Sequence, residues 1–166
     1  MAAAAASPLT LIVAPAGCGK SRALGDYLAQ AGPYRHFDGD CAGFKGVVVV
    51  DAADRLDAAA IETIVAAIER AGSMQRWILA TRSTHGLPIG TWLAYGRARC
   101  VIGMRELNFT PAEARDEIVA FTGGWAVATA FAQGVAESGV ELRTVREQTR
   151  EMMHAFLDER FFSELL

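Results

Sequence analysis

Lys20 and Ser21, preceded by Ala14-Pro15-Ala16-Gly17-Cys18-Gly19, are the residues of this chain whose types and spacing best suit a chemical task. Small residues let successive backbone N–H groups face a polyphosphate, a lysine reaches the β and γ phosphates, and a hydroxyl serves Mg²⁺. Ala16, Gly17, Cys18, Gly19, Lys20 and Ser21 are therefore candidate nucleotide-binding residues, and Ser21 is also a candidate Mg²⁺ ligand. The pattern G-x-x-x-x-G-K-[ST] is met except at its first position, which is Ala14. Alanine is tolerated there if the backbone stays at negative φ. The competing interpretation is a glycine-rich turn before a helix with a chance Lys-Ser. The sequence on either side argues against it.

Two further polar residues follow apolar runs. Asp51 ends Val47-Val48-Val49-Val50, and a carboxylate in that position holds Mg²⁺ directly or through water. Trp77 to Ala80 reads as a strand that ends in the polar triplet Thr81-Arg82-Ser83, at the carboxyl edge where ligands sit in open α/β sheets, and Arg82 is the candidate phosphate-facing arginine. Its alternative role is a salt bridge at a strand end.

These groups need a scaffold of alternating strands and helices. Leu9 to Val13 is short, uncharged and partly β-branched, as a strand buried on both faces should be, and Ser21 to Gln30 has helical spacing through Leu24, Tyr27 and Leu28. Asp57 is placed to cap a helix to Arg70 with Ile61, Ile64, Val65 and Ile68 on one face. Further on, Ile89 to Tyr95 reads as a short helix and Ala98 to Gly103 as a last strand. Only Cys41 to Gly46 separate Asp40 from Val47, which is short for a parallel crossover. Tyr34 to Phe37 is accordingly expected to be an irregular edge segment or an antiparallel partner.

Beyond the last strand the pattern is helical. Thr110-Pro111-Ala112-Glu113 is a capping box that predicts a helix from Pro111 to about Phe121. Gly123-Gly124 separates it from an apolar helix over Trp125 to about Ala136. Leu142, Val145, Met152, Phe156, Phe161 and Leu165 then form a stripe through a charged helical tail. The stripe suits a bundle packed on itself, or a partner-binding helix. The domain boundaries read from this pass are a disordered lead over 1–7, an α/β domain over 8–104, a helical subdomain over 105–140, and a further helical segment over 141–166.

The chain has 166 residues, 52% of them hydrophobic and 21% charged, with a net charge of -3. That balance predicts a globular protein with a substantial core and gives no support for sequence-independent or direct DNA binding. Cys18, Cys41 and Cys100 are widely spaced and odd in number, which suggests neither a disulfide framework nor a zinc site and fits a reducing cytoplasm. No apolar run is long enough to span a bilayer.

In this order the pieces resemble the ATP-binding module of the STAND signalling ATPases, most closely the large LuxR-type transcriptional regulators of the maltose-regulator group. The resemblance covers about residues 8–166 and rests on SPLTLIVAPAGCGKS, VVVVDAADRLD, WILATRS, and MRELNFTPAEA followed by FTGGWAVATAFAQG. It implies a P-loop NTPase three-layer α/β sandwich with a mostly parallel sheet, followed by a small C-terminal helical subdomain. It also implies an ATP/ADP switch with AAA-like ATPase ancestry whose nucleotide state controls self-association or partner binding through the C-terminal helices. Carried over by position, Gly17, Gly19, Lys20 and Ser21 would hold phosphates, Asp51 would hold Mg²⁺ and Arg82 would sense the γ-phosphate. The segment from Glu141 looks like the start of a winged-helix domain.

Ala52 stands where the family commonly has a second acid, so hydrolysis is expected to be slow or absent. The crossover before Val47 is shorter than in the large regulators, and the helix after Trp125 lacks the proline that related modules place near adenine. The regulators' sensor repeats and DNA-binding helix-turn-helix are not in this sequence. Two other functions compete. One is a P-loop small-molecule kinase, in which Asp38 and Asp40 would orient a hydroxyl substrate. The other is a scaffold that has lost nucleotide and docks a partner through Phe161, Phe162 and Leu165.

Overall fold

A computed structural model describes residues 8–84 and 86–162, without the side chains of residues 99, 100, 161 and 162. The lead over 1–7 and the docking role of Phe161, Phe162 and Leu165 therefore fall outside what is described. The chain divides into two compact units. The first holds residues up to Pro15 together with Lys20–Glu106. The second holds Ala16–Gly19 together with the residues from Leu107 onward.

The first unit is α/β. Its elements are β1 (Leu9–Val13), α1 (Lys20–Leu28), β2 (Tyr34–His36), β3 (Gly46–Val50), a 3-10 turn (Ala53–Arg55), α2 (Ala58–Arg70), β4 (Gln75–Thr81), α3 (Ile89–Ala94) and β5 (Ala98–Ile102). The strands form one sheet in the order β2-β3-β4-β1-β5, with every pairing parallel. A short α4 (Met104–Leu107) follows.

The sheet is buried on both faces, which is why its strands read as continuous apolar runs rather than alternating ones. Leu9, Leu11, Val48, Val50, Trp77 and Leu79 share one core with Ile61, Ile64 and Ile68 of α2 and Trp92 of α3. The intervening residues Thr10, Ile12, Val47, Val49, Ile78 and Ala80 are buried too, and the two-residue period turns them to the opposite face. Such a sheet is consistent with a three-layer α/β fold. α2 is set as the sequence predicts: the Asp57 carboxylate accepts from the Ala60 N–H at 2.8 Å, and Ile61, Ile64 and Ile68 face inward. Each of these isoleucines contributes about 1.5–3 kcal/mol by burial. Ile64→Ala should cost about 2–5 kcal/mol because it also leaves a cavity.

One expectation is overturned at the sheet edge. Tyr34–His36 is neither irregular nor antiparallel; it pairs parallel to β3, with Tyr34 opposite Val47 and His36 opposite Val49. The crossover rule fails because β2 is only three residues long, so the chain has to climb back by roughly 7–10 Å at about 3.3 Å per residue. Residues 37–45 manage this without a helix. The Ala42 N–H donates to Asp40 Oδ1 at 2.8 Å, and Gln75 Nε2 ties the Cys41 carbonyl down at 2.6 Å. Phe37, Cys41 and Phe44 pack the loop onto the core.

The second unit is helical: α5 (Asp116–Thr122), α6 (Ala126–Glu137) and α7 (Leu142–Leu157), continued by a π-type turn (Asp158–Phe162). Ile118, Ala132 and Val145 form its fully buried centre, flanked by Phe121, Val135 and Ala136. Small residues on α6, Ala128, Thr129 and Ala132, let the neighbouring helices approach. The buried hydroxyls are satisfied, with Thr122 and Thr129 bonded to each other at 2.7 Å. On α7 the predicted stripe is only partly covered: Val145 and Thr149 are buried, Met152 and Phe156 partly so, and Leu142 is exposed.

The predicted helix from Pro111 to Phe121 is also corrected. Only half of the capping box forms: the Thr110 N–H donates to Glu113 Oε2 at 2.9 Å, while Thr110 Oγ1 donates to the same oxygen at 2.8 Å and the Glu113 N–H goes to the Thr110 carbonyl. It closes only a turn, because Arg115 is extended (φ -62, ψ 131), and the helix proper begins at Asp116. At the other end Gly124 takes φ 75, and its carbonyl accepts from the Phe109 N–H at 2.7 Å. Only a glycine adopts that backbone beside another strand of chain without strain.

Candidate functional site

In the first unit, β1 delivers the chain to the loop and α1 carries its two reactive side chains. Lys20 opens α1, and its Nζ donates to the carbonyls of Ala14 at 2.6 Å and Pro15 at 2.9 Å. Ala14 is buried, its N–H donates to the Thr81 carbonyl at 3.2 Å, and its φ is not positive. The missing first glycine therefore carries no backbone penalty at this position.

Ser21 Oγ donates to Asp51 Oδ2 at 2.9 Å. The two residues lie at the carboxyl ends of β1 and β3, which are separated in the sheet by β4. Parallel register aligns these ends, since Val13 pairs with Thr81 and Val50 with Leu79 on the two sides of β4. The other carboxylate oxygen, Asp51 Oδ1, accepts from the Ala52 N–H at 2.8 Å. Ala52 has φ 53 and ψ 44 and is the one non-glycine at positive φ among the described residues. A left-handed alanine costs about 1–2 kcal/mol, and backbone strain of this kind is concentrated at functional positions.

Arg82 follows β4 and is held by an acid that was not singled out from sequence. Its N–H donates to Asp54 Oδ1 at 2.8 Å, and its Nε lies 3.5 Å from Asp54 Oδ2. The two side chains are 24% and 13% exposed. The guanidinium thus has the strand-end ion pair that was its alternative role. The signal for Asp54 was its offset of three from Asp51, one 3-10 turn further on, which keeps both acids near the sheet's carboxyl edge.

No protein-family model and no curated protein matches this chain. Its own geometry is what remains to read.

The loop residues Ala16–Gly19 belong to the second unit. The Gly17 carbonyl accepts from the Val127 N–H at 2.9 Å, at the start of α6. Gly17 has φ 76, and a Cβ placed on it would lie 2.7 Å from Val127 Cγ1 and 2.9 Å from Trp125 Cζ2. Trp125 in turn meets Phe156 of α7 edge to face, with ring centroids 5.7 Å apart. Ala16 and Cys18 are buried, so their side chains are spent on packing and only their backbone groups remain for a ligand.

The donor set at Ser21 and Asp51 is one hydroxyl and one carboxylate, both hard oxygens. Mg²⁺ is ordinarily held by one or two such groups and completed by phosphates and water. Among the described residues no cluster of three or more His, Cys, Asp or Glu side chains is placed to hold a metal. These residues therefore fit a Mg²⁺ that arrives with a nucleotide and do not build a free-standing metal site.

The two acids considered as substrate-orienting groups part company. Asp40 turns back to its own loop through Ala42, as described above. Asp38 lines a cavity at the ends of β2 and β3 and accepts from Arg35 Nη2 at 2.9 Å through both oxygens. That guanidinium holds the Asp38 carboxyl below the usual aspartate range. Burial, reinforced by the Asp40 charge, pushes the Cys41 thiol up, in keeping with its place in the core. No helix among the described residues is long and apolar enough to cross a membrane.

Proposed function

We propose that this chain is an ATP/ADP-binding regulatory switch module of the P-loop type, akin to the nucleotide-binding part of a STAND signalling regulator, with slow or no hydrolysis. The observation that carries the reading is the hydrogen bond between Ser21 and Asp51, thirty residues apart, at the carboxyl edge of a parallel sheet. A hydroxyl at the start of a helix and an acid at the end of a buried strand together offer two oxygens of the octahedral Mg²⁺ shell.

Lys20 supports the same reading. Its ammonium bonds to the carbonyls of Ala14 and Pro15 at the loop, where a polyphosphate would be a stronger partner. The N–H groups of Lys20 and Ser21 at the start of α1 would supply further phosphate contacts, helped by the positive end of that helix. Ala52 supplies no carboxylate to polarise water, so the resting state would be a stably bound nucleotide. Partner binding or self-association through the helical unit would be the output.

Isothermal titration of nucleotide-stripped protein with ATP-Mg²⁺ and with ADP tests the reading, with Lys20→Ala in parallel. Micromolar binding that the variant loses, with its melting temperature little changed, is the expected outcome. Equal affinity in the two proteins, or no binding to either nucleotide, would remove the assignment. The small-molecule kinase keeps some support from Asp38, which lines the same cavity as Asp51. Nucleotide-dependent phosphorylation of a small hydroxyl compound would favour it.

A further inference from the structure

We infer that the cavity at the carboxyl ends of β2 and β3 is a binding site for a small organic ligand that has an apolar body and carries a hydroxyl or ammonium donor. The cavity is a solvent-open cleft of about 460 Å³, within the range of small-molecule sites. It lies wholly in the α/β unit.

Its walls and rim differ in character. Val50, Ala60, Ile64 and Leu56 supply apolar wall, and Asp38 and Asp51 bring carboxylates to it. Leu56, 40% exposed after the Ala52 turn, is apolar surface that a ligand in the cavity would cover. Ala60 lies in the first turn of α2, where its small side chain leaves the space open.

The rim sets the ligand's polarity. Arg35, outside the lining, keeps Asp38 ionised and engages it from one side. Asp51 already accepts one hydrogen bond on each oxygen, from Ser21 and from the Ala52 N–H. The exposed Asp38 carboxylate is the rim group open to a further donor. The Thr63 hydroxyl, also in the lining, donates to the Ala59 carbonyl at 2.9 Å. Carboxylates at the rim, with His36 beside them, orient a donor-bearing ligand in preference to an anionic one.

The site shares Asp51 with the nucleotide reading, so its test uses no nucleotide and is read at Leu56, Ala60 and Ile64. Amide NMR spectra of the full chain are recorded with benzylamine, benzyl alcohol and benzoate as probes, which share a ring and differ in the polar group. Benzylamine and benzyl alcohol should saturably shift the amides of Leu56, Ala60 and Ile64, and benzoate should not. Ala60→Phe should abolish the shifts by filling the space. Leu56→Ser, at a half-exposed position that the fold tolerates, should weaken both probes. Asp38→Asn should lower benzylamine affinity by about threefold, in line with an exposed charge, and leave benzyl alcohol unchanged. Absent or non-saturable shifts, benzoate binding as well as benzylamine, or undiminished binding in both Ala60→Phe and Leu56→Ser would overturn the inference. Lys20→Ala should leave the probe shifts intact while removing nucleotide, so the two sites succeed or fail separately.

Discussion

Ser21 and Asp51 meet at 2.9 Å through a hydroxyl on the first turn of α1 and a carboxylate at the end of β3, on either side of the β4 strand end. Neither group is placed there by local structure alone. Their meeting depends on the sheet order, which inserts β4 between β1 and β3, and on parallel register, which brings the three strand ends level.

If that pair holds Mg²⁺ against a nucleotide, removing either oxygen should uncouple metal from nucleotide. Ser21→Ala and Asp51→Asn should each bind ATP with the same affinity in Mg²⁺ and in chelator, whereas the wild type should lose about tenfold, or 1.4 kcal/mol, on chelation. Titration calorimetry in the two buffers reads this directly. A full Mg²⁺ dependence in both variants would take the metal away from this pair.

Arg82 offers a second test, because its ion pair with Asp54 competes with any phosphate. Asp54→Asn should weaken the grip on the guanidinium while retaining an oxygen for the Arg82 N–H, and so raise affinity for ATP more than for ADP. Arg82→Ala should do the reverse. If neither variant alters the ratio of ATP to ADP affinity, Arg82 is purely the structural partner of Asp54.

The strands and the long α2 were legible because burial on both faces writes an unbroken apolar run, and because Asp57 marks the start of its helix. β2 was misread since the crossover rule assumes strands of ordinary length, and nothing in Tyr34-Arg35-His36 announces a three-residue strand. The capping box at Thr110 was read as a local bond pattern, of which half forms, and such a pattern fixes one turn, not the ten residues after it. Lys20, Ser21 and Asp51 were legible as motif positions. Asp54 was not, because its role is to hold a residue twenty-eight positions away, and that proximity exists only once β3 and β4 pair.

Gly17 and Gly25 should respond oppositely to alanine. Gly17 has φ 76 and no room for a Cβ beside Val127 and Trp125, so Gly17→Ala should destabilise by roughly 2–5 kcal/mol, the sum of a left-handed backbone and overpacking. Gly25 lies inside α1 with nothing within 4 Å of its would-be Cβ. Gly25→Ala should stabilise by about 0.5–1 kcal/mol through helix propensity. Denaturant melts of the two variants check the pair; equal shifts would mean that the packing on Gly17 is not as described.

The Glu113 carboxyl is held below its ordinary value by hydrogen bonds from the Thr110 backbone and side chain. A carboxyl whose pKa falls on folding adds stability above its unfolded value and loses it as pH drops through the folded value. The stability difference between wild type and Glu113→Gln should therefore be constant from neutral pH down to about 5 and shrink below the ordinary glutamate value near 4.3. Urea melts across that range measure it. A difference that persists undiminished in acid would mean that the neutral carboxyl caps Thr110 equally well.

Ala52 joins the backbone to the chemistry. It sits in the left-handed region directly after Asp51, where an aspartate is better tolerated than an alanine because its short polar side chain bonds locally. Ala52→Asp should therefore cost no stability, and it places a second carboxylate beside Asp51, able to accept a proton from an attacking water. Any ATPase rate should rise, by an amount within the 10²–10⁴-fold range of general-base catalysis. Ala52→Gly relieves the same backbone strain without adding the acid and should leave the rate where it was. A rise in both variants would trace the slow hydrolysis to the strained turn, and a rise in neither would mean that the missing acid is not what limits it.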